Sequence, residues 1–106
     1  MEFLVEIDVN LPPSLTAEQR SDLISLEWER GRALATEGTI RAIWRVPGQF
    51  ANRAIWSAPD ATELHLAIAS LPLWPYAKVR VTALARHDLA ENCLGIPETL
   101  TVSLSR

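Results

Sequence analysis

The fold is decided by residues 39–56, which read TIRAIWRVPGQFANRAIW. Apolar and polar side chains alternate on both sides of Pro47 and Gly48, a pair that is typical of a turn. The segment before this pair places four side chains on one face: Ile40, Ala42, Trp44 and Val46. The segment after it does the same with Phe50, Asn52, Ala54 and Trp56. The pattern predicts a β-hairpin with strands at about residues 39–46 and 50–56.

Toward the N-terminus, residues 2–11 also alternate and predict a strand with one apolar face. That face carries Phe3, Val5, Ile7, Val9 and Leu11. After this strand, Thr16 and Gln19 have the spacing of a capping box, in which the two residues satisfy each other's backbone N–H groups. We therefore expect a helix from residue 17 to Glu37, ended by Gly38.

Toward the C-terminus, residues 60–70 have helical apolar spacing and residues 77–85 alternate as a strand. The order β-α-β-β-α-β predicts an α+β, ferredoxin-like fold, with two helices on one face of a four-stranded antiparallel sheet. Apolar side chains remain on the other face, so we expect association of the dimeric α/β-barrel type. We expect residues 1–87 to form this domain. Residues 88–106 are interpreted as a tail whose alternating Leu100, Val102 and Leu104 suit an extra strand exchanged between subunits.

Composition excludes several classes of protein. Ten basic and thirteen acidic residues among 106 give a net charge of -3, which argues against a nucleic-acid-binding face. No apolar run approaches the roughly 20 residues of a membrane span. The first residues lack the features of a signal peptide, and a single cysteine suits a reducing compartment, so we expect a cytoplasmic protein. Two distant histidines and one cysteine predict no metal site.

One acidic residue stands out on the first predicted helix. At about 100° per residue, five side chains share a stripe around Glu27: Leu23, Leu26, Arg30, Ala33 and Leu34. Glu27 either pairs with Arg30 or reaches water, or it is a desolvated carboxylate with a raised pKa, suited to act as a general base. The spacing alone leaves both interpretations open.

Polar and aromatic residues around the hairpin form a second cluster: Trp44, Arg45, Gly48, Gln49, Phe50 and Asn52. These residues are compatible with ordinary hairpin packing. They are equally compatible with a pocket wall, in which an arginine or the asparagine holds a carboxylate or a lactone oxygen.

Four segments resemble the muconolactone Δ-isomerase family, with the likeness running from residue 1 to about residue 87. They are Glu27–Arg30, Glu37–Thr39, Trp44-Arg-Val-Pro-Gly48 with Ala51-Asn52, and Leu71-Pro-Leu-Trp-Pro-Tyr76. The resemblance implies an isomerase without cofactor that shifts a ring double bond in muconolactone to give 3-oxoadipate enol-lactone, in aromatic catabolism. It also implies a small lactone substrate and a homo-oligomer, typically a decamer built from dimers.

The resemblance also implies which residues form the site. Glu27 matches the acid that transfers the proton, Asn52 the hairpin asparagine, and Arg45 the arginine of the Trp-Arg pair. The further candidates for substrate binding are Arg41, Trp44, Gln49 and Phe50. Either Arg41 or Arg45 is expected to neutralise the substrate carboxylate, while Trp44 and Phe50 share a predicted strand face with Asn52.

The sequence departs from the family at two places near these residues. Trp28 stands where a lysine is common, and Gln49-Phe50 replaces a frequent His-Tyr or Arg-Tyr pair. Two alternatives therefore stay open: a dehalogenase or isomerase of a substituted muconolactone, and a non-catalytic ferredoxin-like binding or assembly module. Glu27 on a cavity wall favours catalysis, whereas Glu27 in a solvent-facing ion pair favours the module.

Overall fold

The structure is a computed structural model that describes residues 1–93. Its elements follow the predicted order. They are β1 (Glu2–Val9), α1 (Ala17–Thr36), β2 (Ile40–Arg45), β3 (Ala51–Ser57), α2 (Ala61–Ala69), a 3-10 turn (Trp74–Tyr76), β4 (Ala77–Leu84) and a second 3-10 turn (Ala90–Asn92). The strand suggested around Leu100, Val102 and Leu104 lies outside the described residues.

The four strands form one antiparallel sheet in the order β2-β3-β1-β4. The central strand β1 is paired on both sides, so that Val5 lies opposite Ala54 of β3 and Val81 of β4. This topology confirms the predicted ferredoxin-like arrangement. It also places Phe3, Val5 and Ile7 of β1 in the middle of the face that the helices cover.

Helix α1 begins and ends where the sequence predicts. The Thr16 hydroxyl accepts a hydrogen bond from the backbone N–H of Gln19 at 3.0 Å, and the Gln19 side chain accepts one from the backbone N–H of Thr16 at 2.9 Å. Gly38 follows the helix with φ at +86°, a conformation that favours glycine. These local signals fix the length of the helix independently of its packing.

The predicted apolar stripe of α1 is correct in part. Leu34 is 1 % exposed and belongs to the core, whereas Leu26 is 52 % exposed and was wrongly placed on the buried face. Leu26 precedes Glu27 by one residue, and therefore points about 100° away from it around the helix axis. The helix is thus turned so that Glu27 and Leu34, rather than Leu26, face the sheet.

The core lies between the two helices and one face of the sheet. Its strand residues include Phe3, Val5 and Trp56, and its helix residues include Leu34, Leu64 and Ile68. Side chains of both helices meet the same face of the sheet, so the predicted layering is confirmed. The helices within residues 1–93 lack the length and apolarity needed to cross a membrane.

A β-bulge in β2 changes which side chains share a face. Ile40 lies opposite Trp56, but Ile43 lies opposite Ala54, because the register shifts between Ile40 and Ala42. A bulge inserts one residue into the ladder and reverses the alternation beyond it. The predicted face of Ile40, Ala42 and Trp44 is therefore wrong past the bulge. Ile43 and Arg45 join the helix-covered face, and Trp44 lies opposite Arg53 on the outer face.

Candidate active site

A cavity of about 340 Å³ lies between α1 and the end of the sheet near the hairpin. Strand β1 contributes Ile7 and Val9, the two apolar residues that follow its core residues Phe3 and Val5. The cavity has the size and apolar character of small-molecule sites, which are typically about 300–1,000 Å³.

Helix α1 forms one wall of the cavity. Glu27, Gly31 and Ala35 line it and follow one another at intervals of four residues, which places them on one helix face. Trp28 and Arg32 line the cavity beside them, and the Arg32 guanidinium carbon lies 5.8 Å from the centroid of the Trp28 ring. This wall therefore presents one carboxylate, two small residues and an arginine stacked on an aromatic ring.

The Glu27 carboxylate is held by the segment between α2 and β4. Its Oε1 accepts a hydrogen bond of 2.9 Å from the backbone N–H of Leu73, a residue that is 2 % exposed. Leu73 lies between Pro72 and Pro75, whose rings restrict the backbone on either side. The hydrogen bond joins elements 46 residues apart and fixes one carboxylate oxygen against a rigid backbone.

The possible pairing of Glu27 with Arg30 is not what the structure shows. The Arg30 Nε donates to the Ser70 hydroxyl at 2.9 Å. Within residues 1–93, no lysine or arginine forms an ion pair with Glu27. Glu27 is therefore an unpaired acid on the wall of an apolar cavity.

Burial raises the pKa of Glu27 above its usual value, and the hydrogen bond from Leu73 offsets part of the rise. Burial acts in this direction because a carboxylate loses hydration when it leaves water, which penalises the charged form. The raised pKa makes this carboxylate a stronger base than an exposed glutamate.

Strand β3 places Asn52 on the opposite wall of the cavity. The Oδ1 atom of Asn52 is buried and has no hydrogen-bond partner among the described residues. Buried polar groups are nearly always paired, and one that is unpaired needs an explanation such as a role in binding. Asn52 lies opposite Ile7 of β1, so it reaches the cavity from the sheet.

The bulge in β2 determines which arginine lies beside Asn52. Arg45 lies opposite Asn52, lines the cavity, and places its guanidinium carbon 5.9 Å from the centroid of the Phe50 ring. Arg41, at the bulge, does not line the cavity, and neither does Gln49 in the hairpin turn. Phe50 lines it. Trp44 also borders the cavity, but the strand face it was predicted to share with Asn52 is wrong because of the bulge.

The lining residues that the sequence did not assign to the site include Trp28, Gly31, Arg32 and Ile43. Gly31 could have been predicted from the sequence, since it follows Glu27 by four residues and therefore lies on the same helix face. Trp28 and Arg32 lie on the flank of that face, and Ile43 becomes inward-facing only because of the bulge. No group of three or more potential metal ligands occurs in the described part of the chain.

Comparison with known proteins identifies the family. A protein-family model described as "Muconolactone delta-isomerase" matches residues 1–90. The chain belongs to this family. The muconolactone Delta-isomerase of Acinetobacter baylyi is 40 % identical to it over 87 residues, which cover 82 % of this chain and 91 % of that protein. The muconolactone Delta-isomerase of Cupriavidus pinatubonensis is also 40 % identical, over 82 % of this chain and 95 % of that protein.

Solved structures agree with this family assignment. A crystal structure of muconolactone isomerase superimposes with a TM-score of 0.78 at 35 % identity, covering 83 % of this chain and 92 % of that one. A second structure, 5-chloro-2-hydroxyhydroquinone dehydrochlorinase from Burkholderia phenoliruptrix, has a TM-score of 0.63 at 17 % identity, over 82 % of this chain and 96 % of that one. The second likeness is one of fold alone. The resemblance noted in the sequence to the muconolactone Δ-isomerase family is confirmed.

Proposed function

We propose that this muconolactone isomerase family member shifts the ring double bond of muconolactone to give 3-oxoadipate enol-lactone, without a cofactor. The observation that carries the proposal is Glu27, an unpaired acid with a raised pKa on the wall of an apolar cavity. Family membership and the names of the relatives support the same reaction.

In this proposal Glu27 transfers the proton. Moving a ring double bond requires that a proton leaves one carbon and returns to another two atoms away. One carboxylate above one face of the ring can perform both steps if it is basic and rigidly placed. Desolvation supports the first requirement, and the Leu73 hydrogen bond supports the second.

In this proposal Asn52 stabilises the negative charge of the intermediate, and Arg45 binds the carboxylate of the substrate. Removal of the proton produces a dienolate, whose charge accumulates on the lactone oxygen and is stabilised by a prepositioned donor. The buried Oδ1 of Asn52 has no hydrogen-bond partner within residues 1–93, and a half-turn of the amide presents its N–H groups instead of its oxygen. Arg45, opposite Asn52, suits the substrate carboxylate better than Arg41, which lies outside the cavity.

The alternatives receive less support. A non-catalytic module predicts Glu27 in an ion pair that faces solvent, whereas Glu27 accepts a backbone hydrogen bond on a cavity wall. A dehalogenase is less favoured because the relatives at 40 % identity are named as isomerases.

The proposal includes homo-oligomers, from dimers to a decamer, in the cytoplasm. The outer face of the sheet supports association, because Trp44 is 53 % exposed there and Leu4 and Ile55 are half-buried. The single cysteine supports a reducing compartment. We also propose that residues 1–87 form the catalytic domain, since β4, the last strand of the described sheet, ends at Leu84.

The decisive test is the substitution Glu27→Gln, with muconolactone conversion followed by ultraviolet absorbance. Glutamine keeps the size of the side chain and its acceptor for Leu73, but it cannot take a proton. We expect kcat to fall by about 10²–10⁴-fold, the usual contribution of a general base.

Glu29→Gln provides the matched control, because Glu29 is an exposed acid on the same helix. It should leave kcat within about twofold of the wild type, as expected for a surface change. If Glu27→Gln retains near-normal kcat, the role assigned to Glu27 is wrong. If the wild-type protein does not convert muconolactone, the substrate is wrong.

A further inference from the structure

Gly31 is a glycine that the packing of the described chain does not require. It lies within α1, and a Cβ atom added to it would meet no atom within 4 Å. Glycine in a helix interior destabilises a protein relative to alanine, because the unfolded chain has more freedom to lose. Alanine at this position would therefore make a more stable helix without a clash.

The space beside Gly31 belongs to the cavity that Glu27 lines. Gly31 follows Glu27 by four residues on the same helix face, so the two positions are neighbours along the wall. Side chains of a helix lean toward its N-terminus, so a methyl group at position 31 would lean toward Glu27. The missing side chain thus leaves room next to the proposed proton-transferring group.

We propose that Gly31 is a specificity-determining residue, which makes room for a lactone ring that carries a methyl-sized substituent. This proposal rests on the proposed function of the same cavity. The ring must lie within hydrogen-bond reach of the end of the Glu27 side chain. Because that side chain is longer than an alanine methyl group, the ring lies farther from the helix than a methyl group at position 31 would reach. Alanine at position 31 leaves an unsubstituted ring untouched but meets a substituent that projects toward the helix.

The experiment measures kcat/KM of the wild type and of Gly31→Ala. The substrates are muconolactone and lactones that carry methyl or chloro substituents at each free ring position. For Gly31→Ala we compare kcat/KM on each substituted lactone that the wild type converts with kcat/KM on muconolactone. This ratio should fall about 10–200-fold, the usual cost of one methylene too many in an apolar pocket.

Methyl and chloro substituents are similar in size. If the available space alone determines specificity, kcat/KM of Gly31→Ala should fall equally for the methyl- and the chloro-substituted lactones. A thermal melt adds an independent readout, since Gly31→Ala should raise Tm by a few degrees. Ser25→Ala, at an exposed position of α1 outside the cavity, should leave the preference among lactones unchanged.

The outcomes separate this proposal from the function on which it rests. An equal change of kcat/KM on all lactones, no change on any, or a wild type that converts only the unsubstituted ring overturns the role of Gly31 while the isomerase function stands. A wild type that converts none of the lactones overturns both.

Discussion

The two halves of the layer between helices and sheet are built differently. In one half, Phe3, Val5 and Trp56 of the sheet are sealed by Leu64 and Ile68 of α2. In the other half, the same strands continue to line a cavity of about 340 Å³. The difference shows that one sheet face serves both as a core that holds the fold and as a wall that holds a substrate.

Helix α1 explains why the second half stays open. Its residues over the cavity include Glu27, Gly31 and Ala35, whereas Leu34 packs into the core. Leucines in place of those three residues would fill the space and bury more apolar surface. The open half is therefore the less stable arrangement, as is common where a site is placed in a fold.

Several large apolar side chains are exposed around the open half. Trp28 and Ile43 are each 54 % exposed and Phe50 is 40 % exposed, and all three line the cavity. Exposed apolar residues clustered around a cavity are typical of a binding surface. The side chains that form the core of the sealed half, by contrast, are each less than 10 % exposed.

The largest effect on stability is expected in the sealed half. Leu64→Ala removes a buried side chain and should lower the free energy of unfolding by about 2–5 kcal/mol in a urea titration. The activity of the remaining folded protein should not change, because Leu64 does not line the cavity.

Leu66→Ala on the same helix is the control. Leu66 is exposed, so its free energy of unfolding should stay within about 0.5 kcal/mol of the wild type. If Leu64→Ala lowers kcat of the folded protein as far as Glu27→Gln does, the sealed half also determines activity and the proposed division between the two halves is wrong.

In the open half we expect activity and stability to move independently. Asn52→Leu removes the proposed donor and should lower kcat by about 10²–10³-fold. The free energy of unfolding should be equal or higher, because an apolar group replaces a buried oxygen that has no hydrogen-bond partner in the described part of the chain. Steady-state kinetics beside urea unfolding measures both quantities. A variant that is less stable but fully active would mean that Asn52 serves the fold alone.

The sequence was most informative where local rules govern the backbone. The Thr16 capping box, the stop at Gly38 and the turn at Gly48 could be predicted because each depends on neighbouring residues. Glu27 could be singled out because an acid among leucines breaks the helical pattern.

Other features depend on contacts between distant segments and were not predictable. The sequence of residues 39–46 does not predict the bulge. Trp44 was therefore assigned to the wrong strand face, and the choice between Arg41 and Arg45 stayed open. Leu26 was misplaced because apolar character alone does not fix the rotation of a helix. The hydrogen bond from Leu73 to Glu27 requires the packing of the segment after α2 against α1.

The fold partly buries the Glu27 carboxylate and thereby makes it a stronger base than an exposed glutamate. The raised pKa of Glu27 makes the stability of the protein depend on pH. The folded protein holds this proton more tightly than the unfolded chain does, so stability falls as pH rises from the unfolded pKa to the folded pKa. At neutral pH, Glu27→Gln should therefore have a higher Tm than the wild type, and the difference should vanish below the unfolded pKa of about 4.3.

The most direct measurement is an NMR titration of the Glu27 side-chain carboxyl carbon, beside the pH profile of kcat/KM for muconolactone. We expect the carboxyl to titrate above the ordinary glutamate value of about 4.3. We also expect kcat/KM to rise with pH through the same midpoint, because the base must be ionised to act. A Glu27 carboxyl that titrates at or below about 4.3, or a kcat/KM that does not follow its ionisation, would show that Glu27 is not the partly buried base proposed above.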